Sequence, residues 1–243
     1  MDQKVALVTG ANRGLGLEIA RQLGREGVTL IVSARSTAAA VQASDALTAE
    51  GISSIPLALR IGMEEDYVRV GDEIDREFGR LDILVNNAGV DGDAGSSVYT
   101  ASSASLDDLR YAFEIHFFEV VRLTQTLLPL LRLSDAGRIV NMSAVLGSLT
   151  IQSQNNDSDS VKSFVYNSSK TALNAFTVHL AAELKSTPMK VFSAHPGWVK
   201  TDHGTQYADL EVSEGARTPV ALALDRDEFP TGSFVHEDEH LPW

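Results

Sequence analysis

The chain has no cysteine among its 243 residues. That excludes disulfide staples and thiolate-ligated metals, and it agrees with a reducing compartment, so a cytoplasmic location is expected. It also lacks any apolar run of the roughly 18 residues needed to span a bilayer. Met1-Asp2-Gln3-Lys4 leads straight into an apolar segment, and no signal peptide is visible. Basic residues are scarce: 20 Lys and Arg stand against 33 Asp and Glu, for a net charge of −13. Such an acidic chain is a poor ligand for nucleic acid or an anionic membrane. Any phosphate it binds must be met by a few local cations. Linkers, repeats and low-complexity tails are absent as well. With 44% hydrophobic residues, the length suits one α/β domain over residues 1–243 with a large core.

What is present is a regular alternation. Strands are predicted at Val5 to Thr9, Thr29 to Ala34, Ser54 to Leu59, Ile83 to Asn86, Arg138 to Met142, Lys190 to Ala194 and Gly232 to Val235. Helices are predicted near Gly14–Glu26, Thr37–Glu50, Glu64–Phe78, Leu106–Leu131, Val165–Lys185 and Ser213–Leu224. Short apolar runs between amphipathic helices read as repeated βαβ units. The expected fold is a Rossmann-type, doubly wound parallel sheet of about seven strands flanked by helices. Residues 91–105, 147–163 and 198–212 read as irregular loops beyond strand C-termini, where open α/β sheets bind ligands. Asp45 and Asp66 fit solvent faces of helices. His236-Glu237-Asp238-Glu239-His240 reads as an acidic terminal loop without metal-site geometry, and no metal is expected.

Two segments carry the chemistry. Thr9-Gly10-Ala11-Asn12-Arg13-Gly14-Leu15-Gly16 follows the first strand and opens the first helix. Glycines let a backbone approach phosphate, and a helix N-terminus attracts negative charge, so the segment reads as a dinucleotide cradle. Tyr166-Asn167-Ser168-Ser169-Lys170 sits at the start of a long helix. Four residues apart, Tyr166 and Lys170 share a face, where the ammonium is expected to lower the phenol pKa.

Read together with Asn86-Asn87-Ala88-Gly89 and His195-Pro196-Gly197-Trp198-Val199-Lys200-Thr201, these segments resemble the short-chain dehydrogenase/reductase superfamily. The resemblance runs from about Lys4 to Trp243 and is nearest to carbonyl-reductase-like members. It implies reversible NADPH-dependent reduction of a ketone or aldehyde to an alcohol, with Tyr166 as general acid/base. Lys170 would steer the phenol and hydrogen-bond the nicotinamide ribose. Cofactor contacts would come from Gly10, Asn12, Arg13, Gly14, Leu15, Gly16, Arg35, Arg60, Ile61, Asn87, Ala88, Gly89, Pro196, Gly197, Val199 and Thr201, besides Tyr166 and Lys170. The second strand ends in Arg35 rather than an acid, and Arg13 lies in the glycine turn. Two guanidiniums around one 2′-phosphate favour NADP over NAD.

Three positions depart from the resemblance. Arg60 stands where the family has an aspartate facing adenine; it would stack on adenine or add to the phosphate field instead. The fifth strand reads Asn141-Met142-Ser143-Ala144 against Asn-x-Ser-Ser, so Ala144 holds the usual hydroxyl position and Ser143 is the remaining candidate for the carbonyl. Losing such a donor costs about 3–4 kcal/mol of transition-state stabilisation. His116 replaces a helix asparagine, either as part of a proton relay or as packing. An NADP-binding protein with weak or lost catalysis is therefore the alternative. His195 is expected to support the cofactor loop. Leu109, Phe113, Phe117, Val120, Thr124, Leu127 and Leu131 on the fourth helix, with Ala172, Ala175, Ala181 and Ala182 on the fifth, suit association of two copies, and a monomer stays open.

Overall fold

Short apolar runs make the strands, most of them buried on both faces. In the computed structural model, which describes residues 3–89, 100–154, 164–201, 207–226 and 228–243, these are β1 (Val5–Val8), β2 (Thr29–Ala34), β3 (Ser54–Ala58), β4 (Ile83–Asn86), β5 (Arg138–Met142), β6 (Lys190–Ala194) and β7 (Ser233–His236). All seven pair in parallel in the order β3-β2-β1-β4-β5-β6-β7. A two-residue strand, β8 (Glu239–His240), adds antiparallel to β7. The order reverses between β1 and β4, which opens a crevice at their C-terminal ends.

Side chains alternate across the sheet, so each strand feeds two cores. Ala6 and Val8 of β1 face a core with Ile19 and Leu23 of α1 (Gly14–Arg25), Leu47 of α2 (Thr37–Ala49) and Val220 of α9 (Arg217–Leu224). Val5 and Leu7 face the other. There Tyr67, Val70 and Ile74 of α3 (Glu64–Phe78) meet Leu123 and Leu127 of α5 (Glu119–Leu131) and Leu180 of α7 (Phe164–Glu183). Truncating Leu7, wholly buried, to alanine would cost roughly 2–5 kcal/mol.

The expected continuous helix over Leu106–Leu131 is interrupted. After α4 (Leu106–Phe113) comes a π-helical turn, Glu114–Phe118, in which the amide of Glu119 donates to the carbonyl of Glu114. Residues three apart share a face in an α-helix. Across this wider turn His116 meets α7, whereas Glu119 reaches Tyr67 on α3. Such bulges concentrate at functional sites. The expected helix over Ser213–Leu224 is likewise two, α8 (Val212–Gly215) and α9, because Pro219 has no amide hydrogen to continue the ladder.

Part of the 147–163 segment, expected to be irregular, is a helix, α6 (Leu149–Gln154), preceded by a 3-10 turn at Val145–Gly147. The remaining parts of the expected loops, residues 90–99, 155–163 and 202–206, lie outside the described residues. His236 and His240 sit in the β7–β8 hairpin rather than in a terminal loop. No helix among the described residues is long and apolar enough to cross a membrane.

Candidate active site

The glycine turn lies at the crevice between β1 and β4. Gly10 and Gly14 have φ of +63° and +54°, the left-handed region that favours glycine. Gly16 is required by closeness. A Cβ there would lie 2.4 Å from both the Gly10 carbonyl oxygen and Asn87 Nδ2. Thr9 ties the two strand ends together: its Oγ1 accepts from the amides of Asn87 (2.9 Å) and Ala88 (2.8 Å), and Asn87 Nδ2 donates to the Thr9 carbonyl at 2.8 Å. Arg13 sits at the N-cap of α1 without a side-chain cap bond to its first amides. Amides at a helix start, close backbone and no Cβ in the way form a cradle that fits a pyrophosphate.

A third segment returns over this turn. Gly197 has φ of +81°, and a Cβ there would strike Leu210 at 2.4 Å. Buried Val199 bridges to Leu210, and the Thr201 methyl lies 3.8 Å from a Cβ placed on Gly14. His195 lies just before: its carbonyl is 2.9 Å from His236 Nδ1, and the two rings are 4.7 Å apart. Burial, then the neighbouring His236, pushes the His195 imidazole down to about 4.

At the outer end of β2 and β3 a groove of about 710 Å³ is bordered by Arg35, Ser36, Arg60, Asp66 and Arg69. Arg60 is not a lone cation. Its Nε and Nη2 donate to Asp66 at 2.8 and 2.9 Å, and its amide adds a third bond at 2.9 Å. Asp66 is 5% exposed, not on a solvent face, because this pairing offsets the cost of burying a carboxylate. The hydrogen-bonded Arg60 guanidinium holds that carboxyl well below the usual range.

On α7, Lys170 Nζ lies 5.5 Å from the Tyr166 ring centroid and donates to the Met142 carbonyl at 2.9 Å. The expected lowering of the phenol does not arise from this frame. Burial raises Tyr166 to about 12 and lowers Lys170 to about 8, since desolvation penalises both charged forms. His116, also buried, presents its ring edge-on to Tyr166 at 5.6 Å, with Nδ1 3.0 Å from Ser169 Oγ.

Ser143, at the end of β5, is engaged by α7 and β6. Its hydroxyl donates to Asn174 Oδ1 at 2.6 Å, and its amide donates to the Ala194 carbonyl at 2.8 Å. Ala144, the next residue, is 7% exposed and brings no polar group.

Residues 4–211 match the family described as short chain dehydrogenase. The chain belongs to that family. "Short-chain dehydrogenase/reductase 1" of Saponaria officinalis is 31% identical, with 99% of this chain and 96% of that protein aligned. "Carbonyl reductase [NADPH] 3" of Rattus norvegicus is 29% identical over 99% and 98%. Among solved structures, a short-chain dehydrogenase from Shigella flexneri complexed with NADP superposes with a TM-score of 0.82 at 25% identity, covering 97% of each chain.

Within this dehydrogenase, several supporting residues carry no signal of their own in the sequence. Thr9 and Ser169 lie inside the motifs, yet only the folded geometry shows Thr9 joining the strand ends and Ser169 holding His116. Asn174, which accepts the Ser143 hydrogen bond, is one helical polar residue among many. A buried chain of bonds also runs across the sheet. Asn86 Nδ2 donates to Asn141 Oδ1 at 2.8 Å and to Thr124 Oγ1 at 3.0 Å, and Asn141 Nδ2 donates to Thr177 Oγ1 at 2.9 Å. It ties β4 and β5 to α5 and α7.

Proposed function

We propose that this dehydrogenase reduces a ketone or aldehyde to an alcohol with NADPH. The carrying observation is Tyr166 with Lys170 beside its ring, Lys170 being tied to Met142 on β5, the neighbour of β4, together with a glycine turn in which a Cβ on Gly16 would strike the Gly10 carbonyl and Asn87. Gly10, Asn12, Arg13, Gly14, Leu15 and Gly16 would hold the pyrophosphate, with Arg13 and Arg35 meeting the 2′-phosphate. Arg60 and Ile61 would border the adenine; Asn87, Ala88 and Gly89, with Pro196, Gly197, Val199 and Thr201, would line the nicotinamide half. When bound, the cofactor supplies the hydride. Tyr166 gives its phenolic proton to the carbonyl oxygen as the carbon is reduced, and Lys170 stabilises the phenolate left behind. The NADP bound to the Shigella flexneri protein and the NADPH in the rat relative's name support the cofactor choice. Exposed Tyr111, Phe118 and Val178 on the helical face support pairing of two copies.

A second reading has its own observation. With Ser143 committed to Asn174 and no hydroxyl on Ala144, the fold would bind NADP and turn over slowly. Binding titrations with NADPH and NADH, followed by NADPH oxidation across a panel of ketones and aldehydes, separate the two. Tighter NADPH binding with steady oxidation is expected. Tight binding without oxidation favours the second reading, and equal affinity for both cofactors refutes the assignment to Arg13 and Arg35.

A further inference from the structure

Arg60, which borders the groove at the outer end of β2 and β3, is the first residue of a turn closed by the Met63 amide on the Arg60 carbonyl at 3.2 Å. Gly62 within that turn has φ of +93°. Two neighbouring side chains of α3 hold it. Asp66 takes the Arg60 guanidinium and amide. Tyr67 Oη accepts from the Gly62 amide at 2.7 Å.

That last bond decides where the phenolic proton goes. An amide N–H only donates, so Tyr67 Oη is its acceptor and must place its own proton elsewhere. The partner is Glu119 Oε2 at 2.5 Å, 52 residues away on α5. Tyr67 and Glu119 are 0% and 1% exposed. Burial, then the bond to Glu119, holds the phenol well above its usual value, so it stays a donor. Glu119 is held in turn. Arg122 Nη1 donates to its Oε1 at 2.6 Å, and Glu114 of the π turn hydrogen-bonds to it, which raises the Glu114 carboxyl. For stability alone, an apolar pair of similar volume would serve as well or better than a buried polar one. What the polar pair adds is direction. It fixes the Gly62 amide, and with it the turn that carries Arg60.

We propose that Tyr67 and Glu119 are positioning residues for the adenosine half of the cofactor, a role that rests on the NADPH reading above. They hold the Arg60–Gly62 turn in its binding shape before the ligand arrives, so the adenine and 2′-phosphate end binds without the cost of ordering that turn. Buried as they are, neither touches the cofactor. Glu119 acts through Tyr67, and Tyr67 acts through the Gly62 amide.

The probe is adenosine 2′,5′-bisphosphate, which carries the adenine and the 2′-phosphate without the nicotinamide. Its dissociation constant is measured by titration calorimetry on variants whose folding is checked by circular dichroism. Tyr67→Phe leaves the Gly62 amide without its acceptor and should weaken binding by about 3- to 10-fold, the worth of one net hydrogen bond. Glu119→Gln sets an amide NH2 against Tyr67 or Arg122 and should weaken it by a similar factor. In a Tyr67→Phe background Glu119→Gln should add nothing further, because both act through one bond. In ketone reduction, KM for NADPH should rise in each variant while kcat stays near the parent's. Hydrogen exchange keeps the test open where Tyr67→Phe does not fold: in Glu119→Gln the Gly62 amide should exchange faster than in the parent, with the amides of β1 unchanged. Parent-like affinity in the folded single variants, losses that add in the double variant, or unchanged Gly62 exchange overturns the proposal alone. A parent protein that does not bind adenosine 2′,5′-bisphosphate overturns the cofactor reading beneath it.

Discussion

Ser143→Ala separates a structural serine from one that holds the substrate carbonyl. In the fold the Ser143 hydroxyl donates to Asn174 Oδ1 at 2.6 Å, and the two residues are 4% and 3% exposed. Removing it strands a buried amide oxygen, while Asn174 Nδ2 keeps its 3.3 Å bond to the Gly147 carbonyl. A stranded acceptor of this kind costs about 1–3 kcal/mol. For a chain of this size each kcal/mol lowers Tm by roughly 2–4 °C, so a drop of about 2–12 °C is expected. Turnover per folded molecule should change little. The double variant Ser143→Ala/Asn174→Leu removes both partners and should recover part of the stability. Thermal unfolding by circular dichroism, with kcat/KM for NADPH-dependent ketone reduction on the same samples, makes the comparison. An unchanged Tm with a loss of about 10²–10³ in kcat, the size of one oxyanion donor, would refute the reasoning and place Ser143 on the substrate.

Ala144→Ser restores a hydroxyl beside the reacting oxygen and should raise kcat by about 10- to 1000-fold; no gain in a well-folded variant would show that position 144 does not face the carbonyl. Gly16→Ala puts a methyl 2.4 Å from the Gly10 carbonyl. NADPH affinity should fall sharply while the sheet stays folded, and unchanged affinity by fluorescence titration would remove the cradle from the cofactor site. His195 is held at about 4 when folded, against about 6.5 in an unfolded chain. Its contribution is present above pH 6.5 and lost as pH falls toward 4, up to about 3 kcal/mol. Urea unfolding at several pH values checks this, and an equal acid slope in His195→Gln would contradict it.

The sheet was legible because β1, β4 and β5 are built on apolar runs buried on both faces, and β1 and β4 run into glycine or asparagine turns. Gly10, Gly14 and Gly16 were legible because each meets a backbone demand that only glycine satisfies. What was hidden depends on pairs distant in sequence. Asp66 reads as a surface acid until Arg60 folds onto it. Ser143 reads from the sequence as the candidate for the carbonyl; that its hydroxyl donates to Asn174, 31 residues on, is visible only in the fold. The π turn hides within an unbroken helical periodicity, since one extra residue barely disturbs a pattern of apolar side chains. Burial raises Tyr166 instead of lowering it, because desolvation depends on the packed surroundings rather than on the spacing of two residues.

The central claim is that Tyr166 is the proton donor of an NADPH-dependent carbonyl reductase. Tyr166→Phe keeps the ring against His116 and removes only the hydroxyl. With NADPH binding and ketone turnover measured on one preparation, cofactor affinity should match the parent while kcat falls by about 10²–10⁴. A variant that binds NADPH normally and still reduces the ketone at the parent's rate would contradict the account.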